Sequence, residues 1–263
     1  MTFNASGLLT ITTDFGTKDA YVAAMKGVIR SIFADVRMDD LTHEIDAQSI
    51  LGGALFLADA THYYPKGTVH LAVVDPGVGS ARKPIAVLVN GHVFVCPDNG
   101  LLSMLFDDNP IEYAREITNQ ELMQHKISKT FHGRDIFAPV AAHLAKGIPF
   151  DEVGPEIQSI EMLQIPLPVS EGDLIQGEVI HSDHFGNCIT NITEDILQDN
   201  TSYRVQFAAI TISRISENYA TASKEAPIAL FGSTGRLEIA IRDGNARREY
   251  KISTGTAVTL YIP

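Results

Sequence analysis

The chain has 263 residues, 45% of them hydrophobic and 20% charged, which is enough to bury the core of one large domain or two unequal ones and excludes a disordered protein. Its formal net charge of -12 repels phosphate backbones and anionic lipid, so neither nucleic acid nor a membrane surface is an expected partner. No apolar run approaches the roughly 18 residues that span a bilayer, and Met1-Thr2-Phe3-Asn4 carries no secretory pattern, so a cytoplasmic protein is expected.

Leu8 to Thr12 reads as a first strand, ending at Thr13-Asp14-Phe15-Gly16. Val22, Met25, Ile29, Ile32 and Phe33 then recur at helical spacing. A second helix is expected from about Ala47, with Ile50, Leu51, Ala54, Leu55 and Ala58 on one side. Val69 to Val74 is nearly continuously apolar, as in a parallel strand covered on both faces, and it delivers Asp75 at its carboxyl end, where α/β folds place their chemistry. Ile85–Val89 and His92–Val95 flank Asn90-Gly91, a type I′ hairpin signal, and lead into Pro97-Asp98-Asn99-Gly100. Ile136, Val140, Ala141 and Leu144 mark a later helix that Gly147 can cap in the left-handed conformation.

Ile165-Pro166-Leu167-Pro168-Val169 breaks this alternation, because prolines at alternate positions favour an extended connector. The expected fold class is therefore α/β. Residues 1–165 form a layered domain on a mostly parallel sheet, and residues 166–263, with short alternating runs and no long helix, form a smaller β-sandwich or β-barrel-like domain.

Several segments carry chemistry. Asp75-Pro76-Gly77-Val78-Gly79-Ser80-Ala81-Arg82 takes a carboxylate off a buried strand through a glycine-containing turn to an arginine within its reach. It either orients a small polar molecule or is a turn whose Asp75 caps a helix or pairs with Arg82. Its glycines do not fit the dinucleotide pattern. Thr130-Phe131-His132-Gly133-Arg134-Asp135 opens a helix, and His132 either tunes a proton or satisfies a buried carbonyl. Asp14 can accept the two hydroxyls of a ribose or cap the first helix. Asp14-Phe15-Gly16 is not a kinase signature, since no glycine-rich lobe or catalytic lysine precedes it.

His181-Ser182-Asp183-His184 resembles a metal site only superficially, because a strand would turn His184 away from His181 and Asp183. No metal is expected. Phe185-Gly186-Asn187 adds an aromatic face and an amide that can hold a planar or zwitterionic ligand. Cys96 and Cys188 form no C-x-x-C pattern, so both are expected reduced. The sequons at Asn4, Asn191 and Asn200 have no secretory signal to serve.

Taken in order, these motifs and the late run from Gly232-Ser233-Thr234-Gly235 through Asn245-Ala246 closely resemble the S-adenosylmethionine hydroxide adenosyltransferase family, whose superfamily includes fluorinating and chlorinating adenosyl enzymes. The resemblance spans almost the whole chain. It implies hydrolysis of S-adenosylmethionine (SAM) to adenosine and methionine by attack of water at the ribose 5′ carbon, with SAM as substrate and no cofactor. It also implies a homotrimer with active sites between neighbouring subunits.

Carried over residue by residue, it makes Asp75, Arg82 and His132 a water-handling triad and gives Asp14 the ribose hydroxyls. Asp183 and Asn187 would hold the methionine portion and Phe185 would pack beside the ligand. Ser233 falls in the C-terminal binding motif, and the backbone around Asn245 and Ala246 would read the adenine edge. Asp98 and Asn99 receive no role. The resemblance implies that halide-using relatives differ at the positions of Asp75 and His132 and carry a hydroxyl side chain at that of Gly133, so a side-chain donor for a halide is missing here and water is favoured. Beside Arg82 the Asp75 carboxylate is a poor base, so it is expected to orient the water, with Arg82 and a protonated or donating His132 stabilising the developing hydroxide. A halide-dependent enzyme, a non-catalytic SAM-binding module and a methyltransferase are the rival readings.

Overall fold

A computed structural model describes residues 3–106, 111–197, 203–221 and 223–262. The chain divides into two compact units, Met1–Leu163 and Gln164–Pro263. The sequon at Asn200 lies outside the described residues.

In the first unit, β1 (Leu8–Thr13), α1 (Tyr21–Ile32), β2 (Arg37–Thr42), α2 (Ile50–Thr61) and β3 (Val69–Val73) are followed by β4 (Pro84–Val89), β5 (His92–Pro97), β6 (Tyr113–Glu116) and α3 (Ala138–Lys146). The sheet order is β2-β1-β3-β5-β4-β6. The pairs β1–β2, β1–β3 and β3–β5 are parallel, while β4 runs antiparallel to β5 and β6. Along β3 and Val74 just beyond it, the side chains alternate between two cores. Leu71 and Val73 join Met25, Ile29 and the α3 residues Val140 and Leu144, whereas Ala72 and Val74 join Leu57 of α2. Helices therefore cover both faces of the sheet, which is why β3 is apolar throughout.

Local chemistry sets the ends of these elements. Asn90 and Gly91 both have positive φ, 48° and 77°, as a type I′ turn demands. Gly147 ends α3 at φ 103°, its N–H closing on the carbonyls of His143 and Leu144. α2 begins at Ile50, three residues later than expected from Ala47, because Gln48 takes φ 67° and the Ser49 side chain then caps Gly52 N–H. The helix expected around Ile136 is preceded by a π-helical turn, Gly133–Phe137, in which Ala138 N–H reaches back to Gly133 O. Asp39 and Asp40 are tolerated because β2 is an edge strand, and Asp40 there accepts a bond from Lys26.

The second unit contains β7 (Val169–Glu171), β8 (Leu174–Ser182), β9 (Cys188–Thr193), β10 (Arg204–Phe207), β11 (Ile210–Ile212), β12 (Ile215–Ser216), β13 (Pro227–Phe231), β14 (Arg236–Ile241), the short helix α4 (Ala246–Glu249) and β15 (Ala257–Tyr261). Eight strands follow the path β11-β10-β15-β8-β9-β14-β13-β12, with β7 added beside β8, a nearly closed, barrel-like sheet. Its core gathers Val179, Cys188, Ile192, Val205, Phe207, Leu237, Ile239, Val258 and Leu260. Asn191 is structural: its Oδ1 accepts Glu178 N–H and its Nδ2 donates to Pro166 O. Cys96 and Cys188 are buried free thiols. Among the described residues no helix is long and apolar enough to cross a membrane.

Candidate active site

The turn after β3 is built to bring Arg82 back onto Asp75. Val78 N–H closes on Asp75 O and Ser80 N–H on Gly77 O, while Gly79 sits at φ 78°. A side chain at Gly79 would lie 2.4 Å from Lys129 O, so only glycine lets this turn pack against the segment that leads to His132. Asn99 steadies the same region from the next strand end, its Nδ2 donating to Val74 O at 2.9 Å, and Asp98 accepts Glu161 N–H at 2.8 Å. Both residues thus acquire structural partners.

The result is a three-residue cluster. Arg82 Nε donates to both Asp75 oxygens at 3.0 Å, and Nη2 donates to Asp75 Oδ2 and, at 2.8 Å, to His132 Nδ1. The Asp75 and Arg82 side chains are only 5% and 9% exposed, so the pair is held away from bulk solvent. The guanidinium also lies 5.1 Å from the Phe137 ring centroid, over a residue of the π-helical turn. Because arginine has no acceptor, the contact to His132 requires a lone pair on Nδ1. The ring is therefore neutral, with its proton on Nε2. Burial first, and Arg82 second, push the His132 pKa below its ordinary value, in agreement with that tautomer. In that tautomer Nε2–H is the ring's hydrogen-bond donor.

The segment that carries His132 is held by its own hydrogen bonds. Asp135, buried just beyond it, accepts Ser128 N–H and a two-point contact from Arg134, and Ser128 Oγ accepts Phe131 N–H. Asp14 lies on the adjacent loop after β1. Its Oδ2 accepts Gln48 N–H at 2.8 Å, and the residue preceding α1 is Ala20, so Asp14 does not cap that helix. Phe15 and Phe131 meet edge to face at 6.0 Å between centroids, joining the Asp14 and His132 loops.

The second unit holds the remaining candidates. After β8, Asp183 stands in a turn whose Gly186 has φ 85°. Asn187 donates its backbone N–H to Asp183 Oδ1 at 2.8 Å and its Nδ2 to Oδ2 at 2.9 Å, fixing both side chains. Phe185 projects 71% exposed. Asp183, Phe185, Asn187 and Ser233 line one cleft of about 950 Å³. Asn245 packs directly on Gly186, where a Cβ would lie 2.2 Å from its Cγ, and its Oδ1 caps α4 through Arg248 N–H at 2.8 Å. Ala246 is fully buried.

Two lining residues of this cleft escaped the sequence reading. Tyr219 Oη donates to Glu238 Oε2 at 2.6 Å. Glu238 was hidden inside an apolar strand pattern, and its only sequence signal is a carboxylate among residues that otherwise read as core. Among the described residues no group of three or more His, Cys, Asp or Glu side chains gathers as a metal-ligand set.

Comparison with known proteins places this arrangement. The SAM hydroxide adenosyltransferase N-terminal domain matches residues 9–154 and the C-terminal domain of the same family matches residues 177–259. The chain belongs to the SAM hydroxide adenosyltransferase family. An (R)-S-adenosyl-L-methionine hydrolase of Thermus thermophilus is 36% identical over 94% of this chain and 97% of its own length. A protein of the same description from Salinispora tropica is 43% identical over 68% of this chain and 69% of its own. A fluorinase of an Actinoplanes species is more distant, 25% identical over 99% of both chains. A crystal structure of an uncharacterized conserved protein from Thermotoga maritima superposes with a TM-score of 0.89 at 34% identity, covering 96% of this chain and 99% of that one. In this adenosyltransferase family member, the matched N-terminal region contains the Asp75–Arg82–His132 cluster and the matched C-terminal region contains the Asp183–Asn187 turn.

Proposed function

We propose that the chain hydrolyses SAM to adenosine and L-methionine, with Asp75, Arg82 and His132 handling the attacking water. The observation that carries this reading is the single guanidinium bonded at once to a buried carboxylate and to a neutral imidazole. The higher identity to hydrolases than to fluorinases supports water over halide as the nucleophile.

In the reaction, the water oxygen bonds to the ribose 5′ carbon as the carbon–sulfur bond breaks, and the electron pair of that bond leaves on the neutral thioether of methionine. One water proton stays on the 5′ hydroxyl and the other is released. The sulfonium is its own activated leaving group, so the chemistry proposed needs no metal or cofactor. Asp75, with lone pairs left after Arg82 is bound, accepts from the water and aims its oxygen. His132 Nε2–H and Arg82 stabilise the hydroxide character that develops in the transition state. Asp14 takes the ribose hydroxyls and the cleft of Asp183, Phe185, Asn187 and Ser233 takes the ligand in the second unit, with the backbone at Asn245 and Ala246 reading adenine. The same reading makes the protein a cytoplasmic homotrimer with active sites between neighbouring subunits, and sedimentation tests the trimer.

Incubation with SAM in ¹⁸O-labelled water tests the reaction. Equal amounts of adenosine and methionine, with the label in adenosine and the rate unaffected by EDTA, are expected. S-adenosylhomocysteine as product would reveal methyl transfer, a halide requirement would reveal a halide enzyme, and tight binding without turnover would reveal a binding module.

A further inference from the structure

Glu238 is an unusual lining residue. It stands in the middle of β14, is 9% exposed, and has no Lys, Arg or His within ion-pair distance among the described residues. Its Oε2 is held by the Tyr219 phenol at 2.6 Å. Its Oε1 lies so close to Gly232 that a Cβ there would come within 1.8 Å of it, so any side chain beside Ser233 would displace the carboxylate. The carboxylate therefore has a fixed position in the wall it shares with Asp183 and Ser233. A buried carboxylate without a cation is costly to the folded chain. Burial raises its pKa, and so does the nearby Asp183 charge, against the lowering effect of the Tyr219 bond. Burial and the Glu238 bond likewise raise the pKa of Tyr219. Asp183, Glu217, Glu238 and Asp243 line one cleft against a single arginine, Arg242, which forms no ion pair with Glu238, and this excess of negative charge makes a place that a positive charge completes.

Resting on the function proposed above, we infer that Glu238, held in place by Tyr219, is a specificity-determining residue that recognises the positive charge of the methionyl portion of SAM. Adenosine has no such charge. Glu238 thus favours the intact substrate over the nucleoside product, and Tyr219 positions the carboxylate while leaving its charge in place.

The test is calorimetric binding to the full-length protein and to Glu238→Gln, which keeps an acceptor for Tyr219 and loses the charge. The probes are sinefungin, which has a protonated amine in place of the sulfonium and cannot be hydrolysed, S-adenosylhomocysteine, which keeps only the α-ammonium, and adenosine. Glu238→Gln is expected to weaken sinefungin about tenfold or more, the scale of a charged contact, with adenosine essentially unchanged. A parallel loss for S-adenosylhomocysteine assigns the α-ammonium as the group read, and an unchanged value assigns the central cation. Equal losses for all three ligands, or none for sinefungin, would overturn the inference. Tyr219→Phe keeps the charge and should preserve the preference for sinefungin over adenosine, and its loss there would also overturn it. Because sinefungin is not turned over, a wild-type protein that binds it selectively but fails to hydrolyse SAM would refute the proposed reaction and leave this inference standing.

Discussion

Arg82 Nη2 lies 2.8 Å from His132 Nδ1 while the same nitrogen also donates to Asp75. One planar group thereby spends its two Nη2 hydrogens on two different partners and fixes both. Lysine offers a point charge without that fork, so Arg82→Lys should leave the total charge intact and the geometry broken. Single-turnover rates with saturating SAM should fall about a hundredfold or more, the usual scale for losing a preorganised donor. A near-normal rate in the folded variant would show that the fork is not needed.

The tautomer of His132 predicts the acidic limb of the pH profile. Protonation of Nδ1 would set an N–H against the Arg82 N–H groups, and burial and Arg82 both hold the pKa below the ordinary 6.5. Activity should therefore be level above pH 6.5 and decline only as pH falls through the lowered value. A limb for this histidine centred above 6.5 would contradict the neutral assignment.

Much of this arrangement was legible because it is local. Asp75 and Arg82 are joined by one glycine-containing turn, Asn90-Gly91 needs only its own two φ angles, and Gly147 announces the end of α3 by its conformational freedom. His132 is fifty residues from Arg82, and only the family resemblance suggested that they meet, since spacing carries no signal for such a contact. The π-helical turn at Gly133–Phe137 leaves the apolar periodicity nearly unchanged, and the left-handed Gln48 violates the usual preference of its residue type. Tyr219 and Glu238 meet across separate elements, and a buried glutamate in a strand reads from sequence as a solvent-facing residue.

A buried histidine pair links stability to pH. His70 is fully buried, with Nδ1 2.7 Å from Thr10 Oγ1, Nε2 3.1 Å from His92 Nδ1, and its ring stacked on Phe94. Burial, with His92 second, lowers its pKa from 6.5 to about 3. Between those values the unfolded chain binds the proton and the folded chain does not, so this contribution is complete above pH 6.5 and is lost progressively as pH falls toward about 3. Thermal melts should show that decline. His70→Asn should melt lower at neutral pH and show a shallower dependence, and an unchanged slope would remove His70 as its source.

Asp14 carries two separable roles. Its Oδ2 already accepts Gln48 N–H at 2.8 Å, which ties the loop after β1 to the start of α2, and the ribose role asks more of the same carboxylate. Asp14→Asn retains an acceptor for Gln48 and should melt near the wild type. It should still bind adenosine less tightly by roughly 2 kcal/mol, the scale of charge-assisted hydrogen bonds lost on neutralisation. Unchanged adenosine affinity in a folded Asp14→Asn protein would leave Asp14 with the structural role alone.

Asp75 and His132 do not bond to one another directly in the contacts that define the cluster; each is bound through Arg82. If all three act on one water, removing Asp75 leaves it unaimed and removing His132 leaves its developing charge without the Nε2–H donor. Either loss spoils a single transition state, so each of Asp75→Ala and His132→Ala should slow the chemical step about a hundredfold to a thousandfold while changing SAM affinity far less. The double variant should be little slower than the worse single one, because members of a coupled set do not contribute additively. Arg82 makes the two singles unequal in a further respect. In Asp75→Ala the guanidinium loses its buried counter-charge, whereas in His132→Ala it keeps it, so Asp75→Ala should also cost more thermal stability. Single-turnover rates and melting temperatures for the wild type, both singles and the double settle the matter. Rate effects that multiply in the double variant would mean that Asp75 and His132 act on separate steps, and normal chemistry in either folded single would remove that residue from the water-handling group.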